Sequence, residues 1–223
     1  MDFEKGEVLL FNKPLRWTSF DLVKKVRGLV KVKKVGHAGT LDPLATGLLI
    51  ICTGKMTKQI DLYQGQEKEY TGTFRLGITT ASYDLEQPVD FTFPVDHITE
   101  DSIYTTVKQF LGKISQYPPP HSAVKIGGKR AYEIARKGEQ ANVKLREVEV
   151  KEFEITNITF PVVAFRIVCS KGTYIRSIAH DFGKALNSGA CLESLVRTRI
   201  GEFRLEDAFD LDDFIKSIDS QVA

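Results

Sequence analysis

Gly36-His37-Ala38-Gly39-Thr40-Leu41-Asp42-Pro43-Leu44-Ala45-Thr46-Gly47-Leu48-Leu49 sets one carboxylate, Asp42, in a loop punctuated by Gly36, Gly39, Pro43 and Gly47, just ahead of an apolar run. Glycine lets backbone approach backbone or ligand closely, and a proline biases the residue before it away from the α region, so Asp42 is given a fixed direction. An acid held in this way, beside a histidine and against a hydrophobic strand, reads as a nucleophile or base on a rigid platform. Asp42-Pro43 by itself is an ordinary turn signal, and His37 by itself an ordinary packed or solvated histidine. The specificity lies in the whole string. Downstream, Gly54-Lys55-Met56-Thr57 lacks the preceding glycine and the Lys-Ser/Thr pair of a phosphate-binding loop and is not one.

Outward from this string, strands and helices interleave without a strict βαβ rhythm. Toward the N-terminus, Glu7–Asn12 reads as a short buried strand, and Thr18 or Ser19 caps a helix with Phe20, Val23 and Val26 on one face and lysines on the other. Toward the C-terminus, a strand through Leu48–Cys52 is followed by a short helix near Met56–Tyr63 and a strand over Tyr70–Leu76. Residues 79–97, with Pro88 and Pro94, read as a loop excursion. Thr99 caps a helix carrying Ile103, Val107, Phe110 and Leu111, with Gly112 as its stop. Pro118-Pro119-Pro120 forces an extended segment, and Ala131–Lys137 is a short helix stopped by Gly138. The runs Glu147–Ile158 and Val162–Cys169 are strands, Ser177–Leu186 a helix, Leu195–Ile200 a strand and Leu211–Ile218 an amphipathic helix. The expectation is one α+β domain over residues 1–223 with a mixed, mainly antiparallel sheet.

Composition narrows the class. With 223 residues, 42% hydrophobic and 27% charged, the chain is long enough to bury a sizeable core. No stretch approaches a transmembrane length, and Met1-Asp2-Phe3-Glu4-Lys5 does not read as a signal peptide, so a cytoplasmic protein is expected. Cys52, Cys169 and Cys191 are odd in number and lack metal-ligand spacing, which suits reduced thiols. His97, His121 and His180 are scattered, so no zinc site and no other cofactor is expected. The net charge of +2 hides an asymmetry. Lys13, Arg16, Lys24, Lys25, Arg27, Lys31, Lys33 and Lys34 face a single acid, Asp21, whereas Glu206, Asp207, Asp210, Asp212, Asp213 and Asp219 make the C-terminus acidic. A basic arm leading into a candidate catalytic loop points to a polyanionic substrate, and nucleic acid is the obvious one.

Four further strings complete the pattern: Asn12-Lys13-Pro14-Leu15-Arg16-Trp17-Thr18-Ser19, Lys68-Glu69-Tyr70, Pro118-Pro119-Pro120-His121-Ser122-Ala123-Val124-Lys125 and Lys171-Gly172-Thr173-Tyr174-Ile175-Arg176-Ser177. With Gly36–Leu49, in this order, they resemble the TruB family of tRNA pseudouridine synthases from about Phe11 to Arg199. The resemblance implies the pseudouridine synthase fold with an RNA-gripping thumb segment. It also implies isomerisation of the T-loop uridine of tRNA (position 55) to pseudouridine without a cofactor. The partner would be the T-arm of tRNA, with no membrane and no obligate protein partner.

On this resemblance Asp42 matches the family's catalytic aspartate. Attack on the anomeric carbon, addition to carbon 6 of the ring and support of a glycal-forming step all remain open for it. Arg176 would pair with Asp42 and keep it charged. Tyr70 would stack on the target base and could relay the carbon-5 proton. Tyr174 and Leu195 match pocket-wall positions, and His37 fits a base-extrusion role. Lys13, Lys125, Lys129, Arg130 and Arg136 are candidate phosphate contacts, the last three on the thumb-like segment.

The chain departs from the family pattern at Arg16, where glycine is frequent, and at His121, where tyrosine or phenylalanine is common. Only a short acidic helix follows the catalytic region, so no C-terminal PUA domain is expected. Two other readings stay in view: a synthase acting on another RNA, and a non-catalytic RNA-binding or tRNA-folding factor. Intact Asp42, Tyr70 and Arg176 weigh against the latter, because binding alone needs basic and aromatic groups rather than a held acid.

Overall fold

The computed structural model describes residues 1–120, 122, 125–126, 129–130 and 144–222. The helix expected over Ala131–Lys137, together with Arg136 and His121, lies outside the described residues.

In chain order the elements begin with β1 (Val8–Lys13), α1 (Ser19–Val30), β2 (Val35–Ala38), β3 (Ala45–Thr53), α2 (Ile60–Gly65) and β4 (Lys68–Leu76). There follow β5 (Ile78–Thr80), β6 (Val89–Thr92), α3 (Glu100–Val107), β7 (Gly112–Gln116), β8 (Lys125–Ile126) and β9 (Lys129–Arg130). The last are β10 (Arg146–Thr159), β11 (Val162–Cys169), α4 (Ile175–Ala185), β12 (Ala190–Ile200), β13 (Phe203–Arg204) and α5 (Leu211–Val222). Two compact units emerge, one of Met1–Tyr70 with Leu195–Ala223, the other of Thr71–Ser194. The boundary falls inside β4 and inside β12.

In the first unit β3 is the central strand. One edge pairs antiparallel with β1, from Val8 opposite Cys52 to Lys13 opposite Gly47. The other edge is shared: Ala45–Gly47 run parallel to Leu195–Arg197, and Ile50–Thr53 pair antiparallel with β2. Leu49 and Ile51 pack on one face with Phe11, Leu22, Val26 and Phe214, while Leu48, Ile50 and Cys52 pack on the other with Ala38 and Ile200. Burial on both faces explains why the run after the glycines is continuously apolar rather than alternating. Each such side chain contributes roughly 1.5–3 kcal/mol by leaving water. Helix α1 opens with a capping box between Thr18 and Asp21 and closes on Lys31 in the left-handed region, φ 55°.

The second unit orders its strands β12-β4-β11-β10-β7, with β10 antiparallel to both β11 and β7. Its core is aromatic: Phe74 stacks on Phe165 with centroids 4.2 Å apart, and Phe182 lies 5.6 Å from Phe74 and 5.9 Å from Phe110.

Local differences from the sequence expectation have local causes. Residues 79–97 are not a plain loop, because β5 and β6 pair within them; the prolines that suggested a loop flank β6 instead of interrupting it. The short helix expected over Met56–Tyr63 begins as a 3₁₀ turn, Gly54–Gln59, and becomes α-helical only at Ile60. Likewise α3 ends at Val107 and continues as a 3₁₀ turn over Lys108–Phe110. Of the Gly36–Leu49 string, only residues 39–44 form the loop; its ends are strand.

Candidate active site

The Asp42 loop is held from both sides. Before Asp42, the buried Ser19 hydroxyl accepts from the Leu41 N–H at 2.9 Å and donates to the Leu41 carbonyl at 3.2 Å. After it, the Arg16 N–H donates to the Pro43 carbonyl at 2.7 Å, and the Ala45 N–H closes a turn on the Asp42 carbonyl at 3.1 Å. Arg197, 1% exposed, ties the loop ends together: its Nε donates to the Leu48 carbonyl at 2.7 Å and its Nη2 to the Gly39 carbonyl at 3.1 Å. A buried guanidinium bonded to both carbonyls holds the start of the loop against β3, so the loop is pre-organised around a half-buried Asp42.

Two more side chains of this unit carry its electrostatics. Lys13 is fully buried, with Nζ donating to the carbonyls of Pro14 at 2.8 Å and Trp17 at 2.6 Å. Burial pushes its ammonium down to about 8; the Asp42 charge works against that depression and Arg197 adds to it. The sequence suggested a phosphate contact here. An ammonium with no exposed surface and two carbonyl partners instead fixes the turn that leads into α1. His37 has its pKa lowered, mainly by burial and then by Arg197, so its imidazole is neutral at neutral pH. Between about pH 8 and 10.5 the unfolded chain keeps a proton on Lys13 that the folded chain has lost. This group therefore makes stability rise with pH across that window. Melting curves of wild type and Lys13→Met should diverge in favour of the wild type from pH 8 to pH 10. A constant difference would show that the ammonium is not depressed.

Tyr70 and Leu195 also belong to this unit and are each 8% exposed. Leu195 sits opposite Ala45 in the parallel pairing, which puts it beside the strand that leaves the Asp42 loop. Thr198 donates to the Glu69 side chain at 2.8 Å, tying the start of β4 to β12 next to Tyr70.

In the second unit, Arg176 is 3% exposed and forms an ion pair with Asp84, Nε to Oδ2 3.6 Å. Its Nη1 donates to the Ser82 carbonyl at 3.0 Å. Asp84 in turn accepts from the Ser82 hydroxyl at 2.5 Å and from the Glu86 N–H at 3.0 Å. Sequence reading missed Asp84, which sits in the segment taken for a loop. A lone aspartate among polar residues gives no periodic signal. Tyr174 precedes α4, and the buried Gln116 side chain brackets its peptide, accepting from the N–H at 2.7 Å and donating to the carbonyl at 3.0 Å. Arg176→Lys replaces a planar fork, which meets Asp84 with Nε and the Ser82 carbonyl with Nη1, by a single ammonium centre that does not reproduce those two donor positions. Turnover of this variant is expected to fall about a hundredfold, roughly 2.7 kcal/mol in barrier. Activity within threefold of wild type would remove the fork geometry from the mechanism.

Of the remaining candidate RNA contacts, Lys125 and Lys129–Arg130 fall on the β8–β9 ladder, with Lys125 opposite Arg130, and Arg136 lies outside the described residues. Among the described residues no group of His, Cys, Asp and Glu is placed to hold a metal ion, and no helix is long and apolar enough to cross a membrane.

Residues 27–175 match the TruB family pseudouridylate synthase (N terminal domain). The chain is similar to a protein named tRNA pseudouridine synthase B from Flavobacterium johnsoniae, 56% identical across 97% of this chain and 98% of that one. A protein of the same name from Phocaeicola vulgatus is 51% identical across 99% and 97%. Among solved structures, a chain of a Cbf5–Nop10–Gar1 complex superposes with a TM-score of 0.75 at 31% identity, over 96% of this chain and 54% of that one. Half-identical relatives matched almost end to end, with the family match over residues 27–175, assign this chain to the TruB family of pseudouridylate synthases.

Proposed function

We infer that this protein isomerises a uridine of tRNA to pseudouridine. We propose the T-loop uridine at position 55 as its target, Asp42 as the catalytic carboxylate and the cytoplasm as its place of work. The observation that carries the assignment to Asp42 is the clamping of its loop by Ser19, Arg16 and Arg197, which commits five separate hydrogen bonds to holding one short segment around one acid.

The reaction breaks the bond between N1 of the base and C1′ of the ribose, turns the base, and joins C5 to C1′ as the C5 proton leaves. An ionised, directed carboxylate serves any of the three routes by which the glycosidic bond can be loosened. Arg176, anchored on Asp84 and Ser82, is proposed to keep the Asp42 carboxylate charged and oriented. His37, neutral and mostly buried, would fill the stack vacated by the flipped base, where an imidazolium would suffer desolvation. Tyr70 would lie against the uracil ring and take up or relay its C5 proton, with Tyr174 and Leu195 as walls.

Tritium release from tRNA labelled at C5 of its uridines tests the reaction directly, since product and substrate have the same mass. One equivalent released per tRNA, lost when the T-loop uridine is replaced, supports both chemistry and site. Binding without release would redirect attention to other RNA substrates or to a non-catalytic role. Affinity should fall steeply with salt as phosphate contacts release counterions. Titrations between 50 and 200 mM salt check this, and a flat response would mean that the basic arm does not touch RNA.

A further inference from the structure

One face of α1 carries Asp21, Lys24, Lys25, Gly28 and Leu29, spaced at three and four residues, opposite the face that buries Leu22, Val23 and Val26. With Arg16 and Trp17 from the preceding turn, these residues line an open groove of about 580 Å³, within the range of roughly 300–1,000 Å³ in which ligands are commonly held. We propose that this groove is an RNA subsite: it takes an unpaired nucleotide of the substrate, outside the flipped target, with the base on Trp17 and the phosphates on Arg16, Lys24 and Lys25. This rests on the reading of the protein as an RNA-modifying enzyme.

Four observations converge. First, the charge is one-sided: Asp21 is the single acid of the groove, and its carboxylate already accepts from the Thr18 N–H at 2.9 Å and hydroxyl at 2.6 Å. Arg16, Lys24 and Lys25 are exposed and enter no ion pair among the described residues. Second, Trp17 is half-buried, packed against the core cluster around Phe11 and Leu22 while also lining the groove, the arrangement of a stacking platform. Third, two residues of the groove are not what the backbone prefers. Arg16 sits at φ 66°, where a residue with a side chain is strained, and Gly28 lies inside a helix, where it costs about 1 kcal/mol relative to alanine. No packing requires Gly28, since a Cβ added there meets nothing within 4 Å. The fold is spending stability to keep a cation on one wall and an open floor beside it. Fourth, a wall of the groove is tied to the candidate catalytic loop: the Arg16 N–H is bonded to the carbonyl of Pro43, the residue after Asp42.

Trp17 is the one tryptophan of the chain, so its fluorescence reports this groove alone. Adding wild-type protein to excess tRNA should quench that emission in step with binding measured independently by filter retention. Lys24→Glu with Lys25→Glu should weaken tRNA binding at least about tenfold at 0.1 M salt and lower the log–log salt slope by about two. Arg16→Gly and Gly28→Gln are the decisive pair: each should raise the melting temperature and each should weaken tRNA binding, a combination that a purely structural role cannot produce. Unchanged emission at saturating tRNA, or wild-type affinity in the double-lysine variant, overturns the proposal. If tritium is still released in that case, the groove fails while the assigned reaction stands. Absence of release from any tRNA would instead remove the reading beneath it.

Discussion

Asp42→Asn is expected to lower the rate of tritium release from tRNA by at least about a thousandfold, some 4 kcal/mol in barrier, while tRNA affinity stays within a few-fold. The substitution keeps the volume of the side chain and the Pro43 constraint behind it. The clamps on the loop use the main chain of Gly39, Leu41, Pro43 and Leu48, none of which depends on the carboxylate. Loss of charge without loss of shape therefore isolates the chemistry. Activity within tenfold of wild type would take Asp42 out of the mechanism, and a matching collapse in affinity would mean that the acid holds the loop together.

Gly47→Ala is expected to cost at least about 3 kcal/mol or to prevent folding. Gly47 sits at φ 100°, opposite Arg197 in the parallel pairing of β3 and β12. An added Cβ would lie 2.4 Å from the Arg197 carbonyl oxygen and 2.6 Å from its nitrogen. Both atoms are backbone of a paired strand, so neither can swing aside. Urea titration of the variant checks this. Stability within 1 kcal/mol of wild type would show that the strand pairing yields locally. This glycine of the Asp42 string is thus explained by strand approach rather than by ligand approach, although from sequence the two are indistinguishable.

The contrast between Gly47 and Asp84 marks what the sequence could carry. Strands β1, β3, β10 and β11 and helices α1, α4 and α5 follow from apolar runs, a capping box and turn residues, all of them local signals. Asp42, Tyr70 and Arg176 were singled out because their strings are specific. The partners that fix them were not. Ser19 looked like one of two cap residues, Arg197 like the polar member of a strand, and Asp84 like loop polarity, while Gln116 fell between two readings and drew none. Each works through contacts with residues distant in sequence, 22 positions for Ser19 and Leu41, 58 for Gln116 and Tyr174, 149 for Arg197 and Leu48. Periodicity is blind to contacts of that kind. Lys13 was misread for a different reason: a lysine in a basic stretch reads as exposed until two carbonyls one and four residues away are seen to claim it.

The reach of Arg197 has a consequence for how the protein comes into being. Its guanidinium joins Gly39 and Leu48 across 158 and 149 residues. A ribosome adding roughly 5–20 residues per second has the Asp42 string in place many seconds before the residue that secures it has been made. During synthesis the chain thus carries an acid whose surroundings stay unfinished until Arg197 has been added and its guanidinium has found both carbonyls.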